Sequence, residues 1–119
     1  MVSYTPQKRK TSEYSLEHIH RPAGNQQVYF KTSAVSNDTT NLGYLLTDVC
    51  ECLKNLTSEN YRESVRYGES EIWLDVYHCQ WSASQSALNN PPNNPDSLYI
   101  KLGFNKKCTA IVVSSFHLS

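Results

Sequence analysis

The sequence predicts an α+β fold, in which helices of the N-terminal half pack on a mostly antiparallel sheet of the C-terminal half. Residues 45–56 repeat apolar side chains at three- and four-residue spacing, which indicates an amphipathic helix. Residues 71–80 alternate apolar side chains with others, as a half-buried strand does. Residues 98–103 and 109–116 flank the turn-forming segment 104–107, which is typical of a β-hairpin.

The first predicted elements are an arm and a short helix. Residues 1–12 are polar and basic and lack hydrophobic periodicity, so we expect a flexible arm. Ser12 or Ser15 can cap a helix that runs to about His20, with an acidic residue in its first turn. The segment Arg21-Pro22-Ala23-Gly24 is expected to end that helix.

The middle of the chain contains the clearest helix and two less regular segments. Residues 28–35 favour a strand by propensity, but apolar segments this short also occur in helices, so both assignments stay open. Residues 36–41, of sequence S-N-D-T-T-N, predict a loop before the helix at 45–56. Residues 57–60, of sequence T-S-E-N, then predict a second capped helix that runs to about Val65.

The C-terminal half is expected to form the sheet. Residues 82–96 are rich in Asn, Pro and Ser and predict a long loop between two strands. Beyond it, Tyr99 and Lys101 are two residues apart on one strand and therefore share a face. If the hairpin turn centres near residues 105–106, Tyr99 pairs with about Val112. On the preceding strand, one face is expected to carry Ile72, Leu74, Val76 and His78, and the other Trp73, Asp75, Tyr77 and Cys79.

Composition limits the possible classes of protein. With 119 residues we expect one domain spanning residues 1–119. No apolar run approaches the roughly 20 residues of a membrane span, and the N-terminus lacks the apolar segment of a secretory signal, so a cytoplasmic protein is expected. The 11 basic and 11 acidic residues give no net charge, which argues against nucleic-acid binding as a class. Clusters at residues 8–10 and 101–107 nevertheless allow a local positive patch.

The cysteines do not indicate a metal site. Cys50, Cys52, Cys79 and Cys108 form no C-x-x-C pair, and the sequence contains no glycine-rich phosphate loop. We expect reduced thiols, no bound metal and no cofactor.

The order of several short motifs resembles the MqsR family of bacterial toxins, which are endoribonucleases that cleave mRNA. The sharpest matches are residues 60–64 (N-Y-R-E-S), 72–77 (I-W-L-D-V-Y) and 98–101 (L-Y-I-K), and residues 112–116 (V-V-S-S-F) resemble the family's last strand. The resemblance implies a RelE-like ribonuclease fold with N-terminal helices against a curved antiparallel sheet. It also implies two partners, mRNA and a cognate antitoxin that binds operator DNA, which we expect to be a helix-turn-helix protein.

This chain departs from the family at three positions that bear on activity. Arg62 stands where the family usually has Lys, Leu74 where it has Gln, and His117 where it has Lys. Tyr99 and Lys101 match the family.

Metal-independent RNA cleavage needs a base near the 2′-hydroxyl, an acid near the leaving 5′-oxygen, and cations near the phosphate. We expect Arg62 to clamp the phosphate with its guanidinium fork. Tyr99 is a candidate acid, hydrogen-bond donor or stacking platform, and His117 a candidate base or acid, because imidazole titrates near neutrality. Lys101, Tyr77 and Leu74 complete the set as candidate substrate contacts.

Two functions remain open at this point. The first is a toxin that cleaves mRNA in a sequence-specific, metal-independent manner and so inhibits translation. The second is a catalytically inactive RelE-like module that binds protein, in which the same side chains are packing or solvated residues.

Overall fold

The computed structural model describes residues 6–68, 72–83 and 95–119. Within these residues, three α-helices and a six-stranded sheet of order β1-β3-β4-β5-β6-β2 confirm the predicted α+β fold. Strand β2 runs parallel to β6, and the other neighbours are antiparallel. The elements are β1 (Gln7–Arg9), α1 (Leu16–Gly24), β2 (Val28–Phe30), α2 (Ser33–Asn41), α3 (Leu46–Lys54), a 3₁₀ turn (Ser58–Asn60), β3 (Tyr61–Arg66), β4 (Leu74–Trp81), β5 (Asp96–Phe104) and β6 (Ile111–Leu118).

Helix α1 begins as the sequence predicts but continues past its proline. The Ser15 hydroxyl accepts a hydrogen bond from the His18 backbone N–H at 3.2 Å and so caps the helix. The predicted end near His20 was too early, because the helix extends to Gly24, the last residue of the segment 21–24 that was expected to stop it. Proline cannot donate a backbone hydrogen bond, yet its carbonyl accepts one from Asn25 at 3.1 Å, and the ring is buried in the core.

Helix α2 lies where the sequence predicts a loop at 36–41, and that prediction was wrong. The ambiguous segment before it splits into strand β2 and the start of this helix. The Thr32 hydroxyl accepts a hydrogen bond from the Val35 backbone N–H at 3.3 Å, and Val35 and Thr39 are buried. A side-chain cap and packing against the sheet therefore outweigh the weak helix propensity of this polar segment.

Helix α3 confirms the prediction from the apolar stripe. The Asp48 carboxylate accepts a hydrogen bond from the Leu45 backbone N–H at 2.8 Å, which stabilises the first turn. Val49 and Leu53 are fully buried beneath the sheet, with Cys52 beside them. The four cysteines are free thiols, and the sulfur of Cys52 lies 3.7 Å from that of Cys79.

The helix predicted from residue 57 to about Val65 was wrong. The capping signal forms only the 3₁₀ turn, where the Thr57 backbone N–H donates to the Asn60 side chain at 2.8 Å. Strand β3 follows at once and pairs with β1 on one side and β4 on the other. The strand conformation of this segment is determined by pairing partners that are distant in sequence. A local capping pattern therefore does not indicate it.

The predicted arm and long loop fall partly outside the described residues. Gln7–Arg9 form edge strand β1, so the expectation of a flexible arm was wrong there, and residues 1–5 lie outside the described part. Most of the predicted loop, residues 84–94, also lies outside it, while Asp96 already belongs to β5. Among the described helices, none is long and apolar enough to cross a membrane.

The hairpin of β5 and β6 has a different register from the expected one. Tyr99 pairs with His117, whereas Val112 pairs with Gly103. The turn is longer than predicted, since the Asn105 side-chain oxygen accepts hydrogen bonds from the backbone of Thr109 and Ala110 at 2.9 and 3.1 Å. A β-bulge next to Lys101 then adds one residue to β6. The longer turn and the bulge together shift the partner of Tyr99 toward the C-terminus.

A buried carboxylate joins the N-terminal segment to the centre of the sheet. Asp75 on β4 is fully buried. Its oxygens accept hydrogen bonds from the backbone N–H groups of Glu13 and Tyr14, both at 2.9 Å, and from the Ser64 hydroxyl at 2.5 Å. Charge-assisted bonds of this kind satisfy a carboxylate that burial would otherwise strongly destabilise.

We predict that Asp75→Asn lowers the free energy of unfolding by about 2–4 kcal/mol. The amide loses the negative charge and turns an NH₂ donor toward groups that are themselves donors. Urea unfolding followed by circular dichroism measures the change. Asp38→Asn, on the exposed face of α2, is the matched control and should change stability by less than about 0.5 kcal/mol. Equal stability of the two variants would show that the Asp75 carboxylate is not an anchor.

Candidate active site on the open face of the sheet

Alternate side chains of strand β5 lie on opposite faces of the sheet. One face is covered by the helices, and we call the other the open face. Leu98, Ile100 and Leu102 are fully buried in the core that the helices cover. Tyr99 and Lys101 alternate with them and lie half-buried on the opposite face. The prediction that these two side chains share a face is therefore confirmed.

Three rings form a row across the open face. Tyr99 pairs with His78 on β4 and with His117 on β6, so the three side chains lie side by side on adjacent strands. The Tyr99 ring is 5.3 Å from the His78 ring and 5.0 Å from the His117 ring, centroid to centroid. The second pair is stacked, with 9° between the ring planes. We call these three residues the ring row.

The hydrogen bond that His117 makes selects its tautomer. Its Nδ1 lies 2.9 Å from the Leu118 carbonyl oxygen. A carbonyl oxygen can only accept, so Nδ1 carries the proton and donates it. In the neutral imidazole Nε2 then holds a free lone pair, and the side chain is exposed to solvent. Nε2 is thus available for proton transfer.

Arg62 lies beside one end of the ring row. It occupies a β-bulge of strand β3, between Tyr61 and Glu63. Its Nη1 donates to the carbonyls of Glu59 and Tyr61 at 3.0 and 3.3 Å, which orients the exposed guanidinium. A shallow cleft of about 250 Å³ is lined by Asn60, Arg62, His78, Cys79, Gln80 and Ser97.

His78 is the site residue that sequence reasoning missed. Alternation along β4 placed it on a strand face, but only the pairing with β5 shows that this face is the one that carries Tyr99. Burial lowers the pKa of His78, and the nearby Arg62 cation lowers it further, while Glu63 acts in the opposite direction. The neutral imidazole is therefore favoured in the folded protein.

Lys101 extends the site along β5. Its ammonium donates a hydrogen bond to the Tyr67 hydroxyl at 2.8 Å and lies 4.8 Å from the centre of that ring. Successive residues on one face of a strand are about 6.8 Å apart, which is roughly one nucleotide away from the ring row. A held ammonium at that distance can contact a neighbouring phosphate.

Two of the predicted substrate contacts lie elsewhere. Tyr77 is 1% exposed and faces the core, where its ring packs 5.7 Å from that of Tyr61, so it does not share the open face with Tyr99. Leu74 lies on the open face, and one of its methyl groups packs against Gly103. A Cβ atom added to Gly103 would lie 2.6 Å from that methyl carbon. Gly103 is four residues from Tyr99, or about 13 Å along the strand, so Leu74 is separated from the ring row.

Comparison with known proteins identifies one family. The model of the family described as "Motility quorum-sensing regulator, toxin of MqsA" matches residues 11–117. No curated protein matches the chain significantly. The matched region includes strands β2 to β5 and β6 as far as His117, and so contains the whole ring row.

We predict that Arg62→Gln raises the pKa of His78, because it removes a cation that disfavours the imidazolium. Glu63→Gln should lower that pKa further. Titration of the ¹⁵N-labelled imidazole by NMR measures both shifts. Arg21→Gln, on the exposed surface of α1, is the control and should leave the His78 titration in place. A His78 titration that is the same in all three variants would contradict the described geometry.

Proposed function

Since this chain belongs to the motility quorum-sensing regulator family and is a toxin of a toxin–antitoxin system, we propose that it cleaves mRNA as a metal-independent endoribonuclease. Cleavage of messages would inhibit translation in the cytoplasm. The single observation that carries the proposal is the ring row, which holds two imidazoles and a phenol side by side on an open face next to a guanidinium.

Charge on the open face suits a phosphodiester backbone in spite of the zero net charge. Arg62 and Lys101 are the cations closest to the ring row, and Lys10 donates to the Arg62 carbonyl at 3.1 Å. On the part of this face that the structure describes, the carboxylate of Glu63 on β3 pairs with Lys8 at 3.6 Å. The charge of these side chains is therefore positive where RNA would lie, as contacts to phosphate require.

The proposed reaction is attack of a ribose 2′-oxygen on the adjacent phosphorus. An imidazole exchanges a proton with a reacting oxygen, for which His117 Nε2 is free. The Tyr99 hydroxyl donates a hydrogen bond to a non-bridging phosphate oxygen, and the Arg62 fork neutralises the charge that develops there. The P–O5′ bond breaks, and the products carry a 2′,3′-cyclic phosphate and a 5′-hydroxyl.

The partner is a cognate antitoxin, as the family description names one. We propose that this antitoxin is a DNA-binding protein with a helix-turn-helix domain and that it holds the toxin inactive. Co-purification of the two proteins with suppression of RNA cleavage would support this pairing.

We predict that the purified protein cuts a defined mRNA at discrete positions in EDTA. Tyr99→Phe, Arg62→Ala and His117→Ala should each slow cleavage by about 10²-fold or more, because each removes a group that stabilises the transition state or moves a proton. Gel mapping of the products measures rate and position.

Each variant has a matched control away from the open face or at its edge. Tyr29→Phe changes a tyrosine that is 62% exposed on edge strand β2, and Arg21→Ala and His18→Ala change exposed residues of α1. All three should cut at the wild-type rate. Folded protein that binds its antitoxin and leaves RNA intact at any excess would refute the nuclease and favour the binding module, which the neutral composition also suits.

A further inference from the structure

We propose that His78 is a further catalytic residue of the ribonuclease, the general base that deprotonates the 2′-hydroxyl while His117 serves as the general acid. The inference rests on the proposed function and names the roles within its site. It is carried by the position of His78, which lies on the opposite side of Tyr99 from His117.

The spacing of the two imidazoles suits an in-line displacement. They stand on β4 and β6, with only β5 between them. Neighbouring strands lie about 4.8 Å apart, so side chains two strands apart are separated by roughly 9.6 Å. A hydrogen bond of about 2.8 Å at each end leaves roughly 4 Å. An in-line O2′–P–O5′ unit with partial bonds to phosphorus spans a distance of that size, and it would lie on the solvent side of the Tyr99 ring, which stands between the two imidazoles.

The surroundings of His78 favour a base. Its side chain is half-buried, and within the described part of the chain no group forms a hydrogen bond to the imidazole. Burial and the neighbouring cation hold its pKa below the usual value. The titratable and charged groups that face it are Arg62 and Glu63 on β3, Tyr99 and Lys101 on β5, and His117 on β6.

The surroundings of His117 favour an acid. The Leu118 carbonyl accepts its Nδ1 proton, so Nε2 is the nitrogen from which a proton can be donated to the leaving oxygen. The ring is also stacked on Tyr99 and exposed at the end of β6, where a leaving oxygen can reach it.

The step balances without a co-reactant. A lone pair of His78 takes the proton of the 2′-hydroxyl, and the O2′–P bond forms. The P–O5′ bond breaks, and its electron pair takes the Nε2 proton of His117. The two histidines end in exchanged protonation states, and solvent returns them. The ring of Tyr99 between them keeps the two imidazoles apart and orients both.

The experiment is a pH–rate profile of single-turnover RNA cleavage in EDTA, for wild type, His78→Gln, His78→Arg and the control His18→Gln. The wild type should show a bell-shaped profile whose rising limb has a midpoint below the usual histidine value of about 6.5. Both His78 variants should lose that rising limb and cut at least about 10²-fold more slowly at pH 7.5. His18→Gln should follow the wild type, since His18 is exposed on α1.

The second variant and a binding measurement separate catalysis from charge and from folding. Arginine supplies a positive charge at this position but cannot act as a base, so full activity of His78→Arg would overturn the proposal. Both variants should bind an uncleavable 2′-O-methyl RNA within about threefold of wild type, measured by fluorescence anisotropy, and should melt like wild type. If His78→Gln cut RNA at the wild-type rate with an unaltered rising limb, the assignment of His78 as the base would be wrong, but the proposed nuclease would stand. If the wild type never cut RNA, the proposed nuclease would be wrong as well.

Discussion

The register of strands β4, β5 and β6 is the constraint on which the site depends. It places Tyr99 directly opposite His78 on one side and His117 on the other. A slip of one residue in either pairing would turn a ring toward the core, because side chains alternate along a strand. The long turn held by Asn105 and the bulge beside Lys101 are therefore what bring His117 to the ring row. Neither feature contributes a group to the chemistry.

The two faces of the sheet have different roles, since one packs in the core and the other carries the candidate site. Beneath it, Ile100, Leu102 and Phe116 are fully buried with the helices, and the buried Asp75 carboxylate ties residues 13–14 to β4. Above it lie ionisable groups that are exposed or half-buried. This separation is compatible with the proposed binding of RNA by a chain without net charge, because Glu63 on the open face pairs with Lys8.

Local patterns in the sequence predicted the elements whose cause is local. The apolar stripe gave helix α3, alternation gave β4, and the two-residue spacing placed Tyr99 and Lys101 together. Strand β3 was mistaken for a helix because pairing with β1 and β4 overrides its capping signal. His78 escaped notice for the same reason, as did the burial of Tyr77 on the core face. Which face of β4 is open is decided by its neighbours, and these are distant in sequence.

The most direct measurement is cleavage of a defined RNA in EDTA beside the same RNA with a single 2′-deoxynucleotide at the mapped cut. The proposed chemistry on the ring row uses the 2′-oxygen of that nucleotide as its nucleophile. We therefore expect the cut to disappear at the substituted position while other cuts persist. An undiminished cut there would mean that the 2′-oxygen does not attack, and the mechanism built on His78, Tyr99 and His117 would be wrong.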